Sequence, residues 1–346
     1  MLILGIETSC DETAAAVIRG ERDKIKVLSN IVSSQINIHK QYGGVVPEVA
    51  AREHVIKILP VINQALRQAK IKKEDAPKKI DAIAVAVGPG LITSLLVGVE
   101  TAKTLAAGWS LPLTAVNHIN AHIYANFIKP VIKINFPVLV LTASGGHTVL
   151  VLMRGHGDYK IIGETRDDAV GEAFDKAAQL LGLGYPGGPA ISRLAALNKK
   201  ANDKTDISLP RPMLKDKSYD FSFSGLKTAL LYALKQDKNW RKKISAYSYE
   251  FQQAATDVLI NKTLRAAKEF KVNTVALTGG VSANSFLRER MAKVIKKEIP
   301  GGKFLVPPLE YTTDNAAMVA AAGYFEARAG KFIKPEKLKA DPNIRI

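Results

Sequence analysis

Cysteine is nearly absent: Cys10 is the one thiol in 346 residues, so no intrachain disulfide can form, and the chain suits a reducing compartment. Long apolar runs are missing too. No stretch approaches roughly 18 uninterrupted apolar residues, so neither a membrane span nor a membrane partner is expected. The opening Met1-Leu2-Ile3-Leu4-Gly5-Ile6-Glu7 has no basic leader and meets an acidic residue too early for a signal peptide, which makes the cytoplasm the expected compartment. No Gly-x4-Gly-Lys-[Ser/Thr] occurs, which excludes a Walker-type nucleoside triphosphatase. No Gly/Ser linker or low-complexity tract divides the chain. Acidic residues are in short supply: 32 Asp and Glu against 49 Lys and Arg leave a net charge of +17. That surplus suits a polyanionic partner, because neutralised phosphates release counterions. A lysine-rich solvated surface is the plainer alternative. The clusters at 70–79, 235–243 and 331–339 are the candidates for RNA-phosphate contacts.

What the chain does contain is an α/β programme, with 47% hydrophobic and 23% charged residues as in ordinary globular proteins. Apolar runs at 2–7, 13–18 and 26–32 read as strands, the first two joined by a polar turn at 8–12. An amphipathic helix at about 47–69 precedes a strand at 82–87, closed by Gly88-Pro89-Gly90. A helix at about 93–107, a strand at 113–116 and a histidine-bearing helix follow. The programme then restarts. A strand at 136–142 runs into the small polar turn Ala143-Ser144-Gly145-Gly146-His147, and strands follow at 148–153 and 159–165. Further on, a strand at 274–277 meets Gly279-Gly280, a helix starts near Asn284, a strand covers 303–306, and a last helix covers about 314–328. Ser9 aligns with Ser144 and Thr13 with Thr148 at one constant offset, which points to an internal duplication. The expected lobes are 1–130 and 131–346, with a helix-rich insertion at about 167–270 in the second. Two such lobes facing each other make a cleft, a favoured ligand site.

Three groups of residues carry candidate chemistry. In His118-Ile119-Asn120-Ala121-His122, a helix would place two imidazoles one above the other, able to share an ion. A zinc protease would need Glu directly after the first histidine, where Ile119 stands. By the pseudo-repeat, Asp314 faces the pair from the second lobe and completes a two-His, one-carboxylate site, typical of iron, with zinc the alternative. Its competing role is a helix N-cap. Second come the turns at 8–13, 142–148 and 278–284, where glycine and serine let backbone approach phosphate. Glu7, Asp11 and Glu12 would repel phosphate directly but hold it through a cation. Third is Asp175, within Gly171-Glu172-Ala173-Phe174-Asp175-Lys176: either a partner for ligand hydroxyls or half of a helix-surface pair with Lys176 or Gln179. Cys10 has no base supplied by spacing and reads as a small loop residue.

The ordered motifs resemble the tRNA threonylcarbamoyladenosine transferase family, formerly called O-sialoglycoprotein endopeptidases or glycoproteases, and its bacterial and organellar branch in particular. They are Gly5-Ile6-Glu7-Thr8-Ser9-Cys10-Asp11-Glu12-Thr13, the histidine pair, Ser144-Gly145-Gly146-His147-Thr148, Gly171 to Lys176, Tyr185-Pro186-Gly187-Gly188-Pro189, Leu209-Pro210-Arg211-Pro212-Met213, the stretch 221–228, Gly279 to Asn284 and Thr313-Asp314-Asn315-Ala316-Ala317. The resemblance implies the duplicated actin/hexokinase/Hsp70-type (ASKHA) two-lobe α/β fold. It also implies transfer of threonylcarbamoyl from threonylcarbamoyl-AMP to the adenosine beside the anticodon in tRNAs that read codons beginning with A. By the same carry-over, His118, His122 and Asp314 are metal ligands for one Fe2+ per subunit, with Zn2+ the alternative. Thr142, Ala143, Ser144, Gly145, Gly146, Asp175, Gly188 and Asn284 are substrate-binding positions, where ATP, ADP or AMP also fits. No residue is assigned as general base. The implied partners are tRNA, an inactive ASKHA paralogue and a small ATPase helper. Two residues depart from the pattern: Asn120 where many relatives have Glu, and Ser192 where many have Asp, the latter removing one hydrogen bond to the nucleotide ribose. The rival readings are a small-molecule kinase of the same fold and an ATP-binding scaffold.

Overall fold

The computed structural model describes residues 1–130, 133–201 and 206–346. In chain order the first elements are β1 (Leu2–Glu7), β2 (Glu12–Glu21), β3 (Lys24–Ser34), α1 (Pro47–Gln68), β4 (Ala82–Gly88), α2 (Ile92–Trp109), β5 (Leu113–Asn117) and α3 (His118–Tyr124). The strand–turn pattern then repeats as β6 (Val138–Ala143), β7 (Thr148–Gly155) and β8 (Asp158–Glu164). Four helices follow: α4 (Val170–Leu180), α5 (Gly187–Ala201), α6 (Ser224–Gln236) and α7 (Ile244–Glu269). The chain ends with β9 (Thr274–Thr278), α8 (Ser285–Glu298), β10 (Lys303–Leu305) and α9 (Ala316–Arg328). Among the described residues, no helix is long and apolar enough to cross a membrane.

The chain forms two compact units, Met1–Lys133 together with Pro307–Ile346, and Ile134–Val306. The expected boundary at 130/131 abuts residues 131 and 132, which lie outside the described residues. A larger difference is at the other end. Residues expected in the second lobe, from Pro307 onward, belong to the first unit. The reason is the steric fit of α9 to the first sheet.

Duplication is visible in the connectivity. The first sheet runs β3-β2-β1-β4-β5 and the second runs β8-β7-β6-β9-β10. In each, the opening strand pairs antiparallel with the next and parallel with the later one (β1 with β2 and β4, β6 with β7 and β9).

Alternation along β1 and β4 divides the first sheet into two faces. Leu4, Ile6, Ile83 and Val85 cluster with Ile58, Val61 and Ile62 of α1 and with Val99 of α2. Gly5 and Ala84, of opposite parity, meet α9. A Cβ on Gly5 would lie 2.4 Å from the Ala316 carbonyl oxygen, and one on Gly323 would lie 2.2 Å from the Ala84 Cβ. Gly20 lies under the Tyr324 ring, 2.4 Å from where its own Cβ would sit. Helix α9 is buried from Ala316 to Phe325, as expected of a helix that is apolar all round. Its contact is backbone-close because glycine stands on both surfaces. Beyond α9 the tail stays on the same unit: Ile333 donates to the Leu113 carbonyl at 2.9 Å and Asp341 to that of Val87 at 2.8 Å. In the second unit, Leu139, Leu141, Leu150 and Leu277 pack with Phe174, Phe221, Phe223, Phe251 and Val258. There Arg211 pairs with Glu250 and, at 3.0 Å, with Asp257, fastening the 209–213 loop to α7.

Gly323→Val adds bulk where not even a methyl fits. Overpacking of this kind costs about 1–3 kcal/mol, so the urea midpoint of the first unit should fall. An unchanged midpoint would show that α9 has room to lift.

Candidate metal centre and ligand-binding turns

The end of β5 starts the first site. The Asn117 side chain accepts from the amides of Ile119 (2.9 Å) and Asn120 (3.2 Å), a capping arrangement that begins α3 at His118. His118 and His122 then share a helix face one turn apart, their ring centroids 4.7 Å apart. Both are buried. His118 Nδ1 lies 2.9 Å from Glu7 Oε2 and 3.1 Å from Ser9 Oγ, which turns Nε2 the other way. That Nε2 is 3.5 Å from Asp314 Oδ1, and His122 Nε2 is 3.1 Å from the same oxygen. Two imidazoles and a carboxylate thus offer three donor atoms within 4.8 Å of one another, a set able to hold a metal ion. The donor chemistry fits a transition metal, and the buried Glu7 behind His118 is the outer-shell carboxylate such ligands commonly have.

Two expectations change here. Asp314 does not face the histidines from the other lobe, because all three residues lie in the first unit. Nor does Asp314 cap α9. Asn315 does, accepting from the Met318 amide at 3.1 Å. Asp314 stands just outside the cap.

The charges around this centre call for a cation. Burial pulls the His118 pKa down, but the charges of Glu7 and Asp314 and the hydrogen bond from Glu7 outweigh it and raise the value to about 9. Burial, then Asp11 and Asp314, holds the Glu12 carboxyl well above the usual range. The Cys10 thiol is pushed up by burial and then by Asp11, Asp314 and Glu12, so it stays protonated and weakly nucleophilic. Residue reading missed Glu7's role and the supports of the 9–13 turn. His54 bridges Thr13 Oγ1 (2.8 Å) and the Cys10 carbonyl (2.9 Å), and Gln35 donates its amide to the Asp11 carbonyl at 3.0 Å. The one available signal was a carboxylate ending an otherwise apolar strand.

A second set of residues gathers in the other unit. Thr142 and Ala143 end β6, and Ser144 closes the turn by donating its amide to the His147 carbonyl at 2.8 Å. The Gly171 amide docks on the Ser144 carbonyl at 3.1 Å, where a Cβ on Gly171 would lie 2.8 Å from the Gly145 Cα. Gly279 has φ +85° and abuts the Ala143 carbonyl, a conformation that favours glycine. These glycines serve packing. Gly145, Gly146, Gly188 and Gly280 differ, since a Cβ on each would meet open space. The Thr142 and Ser282 hydroxyls are buried without a hydrogen-bond partner among the described residues. Asp175 accepts from the Gly187 amide at 2.7 Å and so holds the turn before α5, while Lys176 pairs with Asp168 (2.8 Å) and Glu172 (2.7 Å). Asn284 caps α8 through the Leu287 amide (3.1 Å) and donates to Gln252 Oε1 at 2.8 Å.

Residues 26–321 match the family model described as TsaD, tRNA N6-adenosine threonylcarbamoyltransferase. A tRNA N6-adenosine threonylcarbamoyltransferase of Thermomicrobium roseum is 51% identical over 95% of this chain and 93% of its own. One from Thermosipho africanus is 48% identical over the full length of both. Among solved structures, HypF of T. kodakarensis superposes with a TM-score of 0.62 at 17% identity, covering 95% of this chain and 48% of that one. The chain therefore spans about half of that HypF, and the likeness is one of fold.

Titration with Zn2+, or with Fe2+ under anaerobic conditions, should show one ion bound. Glu7→Gln should weaken it by about ten- to hundredfold, as loss of an outer-shell partner does. Equal affinity in the variant would mean that Glu7 does not orient His118 toward the ion.

Proposed function

The chain belongs to the tRNA N6-adenosine threonylcarbamoyltransferase family, and we propose that it moves threonylcarbamoyl from threonylcarbamoyl-AMP to the exocyclic amine of the adenosine beside the anticodon, in tRNAs that read codons beginning with A. The observation that carries this reading is the His118, His122 and Asp314 donor set with Glu7 behind it. The assigned ion is Fe2+, one per subunit, with Zn2+ the alternative, and the compartment is the cytoplasm. When bound, the ion supplies a Lewis-acidic point for the donor's carbonyl or phosphate oxygens.

The chain's own residues do the rest. Gly145, Gly146 and Gly188, open above their Cα atoms, let the donor's phosphate approach main-chain N–H groups. The orphaned Thr142 hydroxyl is a ready partner for a donor oxygen. Ala143 and Ser144 shape the same turn, Asp175 keeps the Gly187-Gly188 corner in place, and Asn284, held by Gln252, presents its carboxamide to the nucleotide. The adenosine nitrogen attacks the carbamoyl carbon. A C–N bond forms as the C–O bond to phosphate breaks, AMP leaves, and the amine proton passes to AMP or solvent. No side chain is assigned as general base. tRNA is the acceptor, and an inactive paralogue and a small ATPase are the assigned helpers.

Nucleoside mass spectrometry of unmodified tRNA, incubated with the chain, threonylcarbamoyl-AMP and helpers, tests the reading. Threonylcarbamoyladenosine should appear. His118→Ala or His122→Ala should cut the yield by more than about hundredfold, beyond the loss expected for an outer-shell residue. tRNA left unchanged under every condition would defeat the proposal in favour of a scaffold. Gly146→Val should leave stability within about 0.5 kcal/mol while raising the donor KM at least tenfold. An unchanged KM would place the phosphate elsewhere.

A further inference from the structure

Three basic clusters were candidates for RNA contact, and their surroundings distinguish them. In the 70–79 cluster, Glu74 and Asp75 interrupt the lysines, and Asp75 takes Lys79 at 3.2 Å. In the 331–339 cluster, Lys331 is bound to Glu326 at 3.1 Å and Glu336 intervenes. The third cluster is different. From Tyr232 to Lys243 there is one carboxylate, Asp237, against five cations. Asp237 is consumed locally, accepting from Lys243 Nζ (2.9 Å), the Asn239 amide (2.9 Å) and the Tyr247 hydroxyl (3.2 Å). These bonds fold the end of α6 against the following 3-10 turn, Trp240–Lys243. Among the described residues, Lys235, Lys238, Arg241 and Lys242 are then left without a carboxylate partner, and all four are exposed.

Aromatic planes lie among these cations. Tyr232 is 59% exposed, with Lys235 Nζ 5.9 Å from its ring centroid. The Arg241 guanidinium lies 4.7 Å from the Trp240 ring, and Trp240 is anchored by packing against the second unit's core. A solvated helix end explains Lys235 alone, since a cation suits a helix C-terminus. It does not explain an exposed tyrosine, or a guanidinium over an indole ring beside two further cations, Lys238 and Lys242. Cations that track phosphates, with rings on which unpaired bases stack, are the combination that holds single-stranded or looped RNA.

We propose that Tyr232, Lys235, Lys238, Trp240, Arg241 and Lys242 form a tRNA-docking face on the second unit. The cations contact phosphates and Tyr232 offers its ring to an unpaired base. The proposal rests on the tRNA-modifying reading for its choice of RNA, and on the residues above for its place.

Filter binding of an unmodified tRNA transcript to the full chain, between about 50 and 200 mM salt, tests it. Combined Lys235→Ala, Arg241→Ala and Lys242→Ala should weaken binding at least tenfold. The same variant should flatten the plot of log K against log salt by about 0.7–0.9 per lost phosphate contact. Tyr232→Leu should weaken binding about tenfold with the slope kept. Thermal melting and AMP affinity should not move in either, and Lys242→Glu alone gives a milder check should the triple variant fold poorly. Wild-type affinity and slope in the triple variant would overturn the proposal, as would a wild-type chain that does not bind tRNA. Patch-dependent binding without any threonylcarbamoyladenosine would uphold the face and sink the transferase reading. Normal product with patch-independent binding would do the reverse.

Discussion

Helix α9 lies against the first sheet at a distance that only glycine permits, and the geometry of the His118, His122 and Asp314 donor set follows from that approach. Gly5 and Gly20 on the strands and Gly323 on the helix remove the side chains that would hold the two surfaces apart. The alanine-rich face of α9 then fills the gap with small, buried groups. Asp314 precedes this helix by two residues, so its position is fixed by the docking, not by a loop free to wander. The histidines are fixed from the other side by the Asn117 cap and by Glu7. Three donors converge because each is attached to an element anchored by packing or by a cap.

Much of this was legible in the sequence. Apolar runs bounded by small polar turns marked nearly every strand of both sheets, and the aligned turns marked the duplication, because the same strand–turn–strand device recurs with the same pairing. The histidine pair was legible because four-residue spacing has one meaning on a helix. Other features were not. The homing of Pro307–Ile346 to the first unit depends on surface complementarity at Gly5, Gly20 and Ala84, which chain order does not encode. Asp314 and Asn315 are adjacent and both are good caps, so only the backbone decides which one is released. Glu7's role needed a partner more than a hundred residues away.

The glycines of the second unit divide into two kinds that look alike in sequence. Gly171 and Gly279 are glycine because neighbouring backbone occupies the space of a side chain. Gly145, Gly146 and Gly188 have no such neighbour. Their freedom from internal contact is what makes them candidates for contact with something external. Asp175 shows the same lesson in reverse. Its carboxylate accepts a main-chain amide and holds the Gly187-Gly188 corner, a support that residue type and spacing did not suggest.

The first unit is built from both ends of the chain, and the second from one uninterrupted stretch. On the ribosome these two histories diverge. The second unit has all its residues once position 306 has emerged, and domains tend to fold as units during synthesis. The first unit, although its strands are made earliest, lacks α9 and the segment that hydrogen-bonds to Val87 and Leu113 until residues 307–346 have also emerged. A nascent chain therefore carries both histidines, with Glu7 beside His118, before Asp314 exists, and a product truncated ahead of Asp314 would lack the three-donor set.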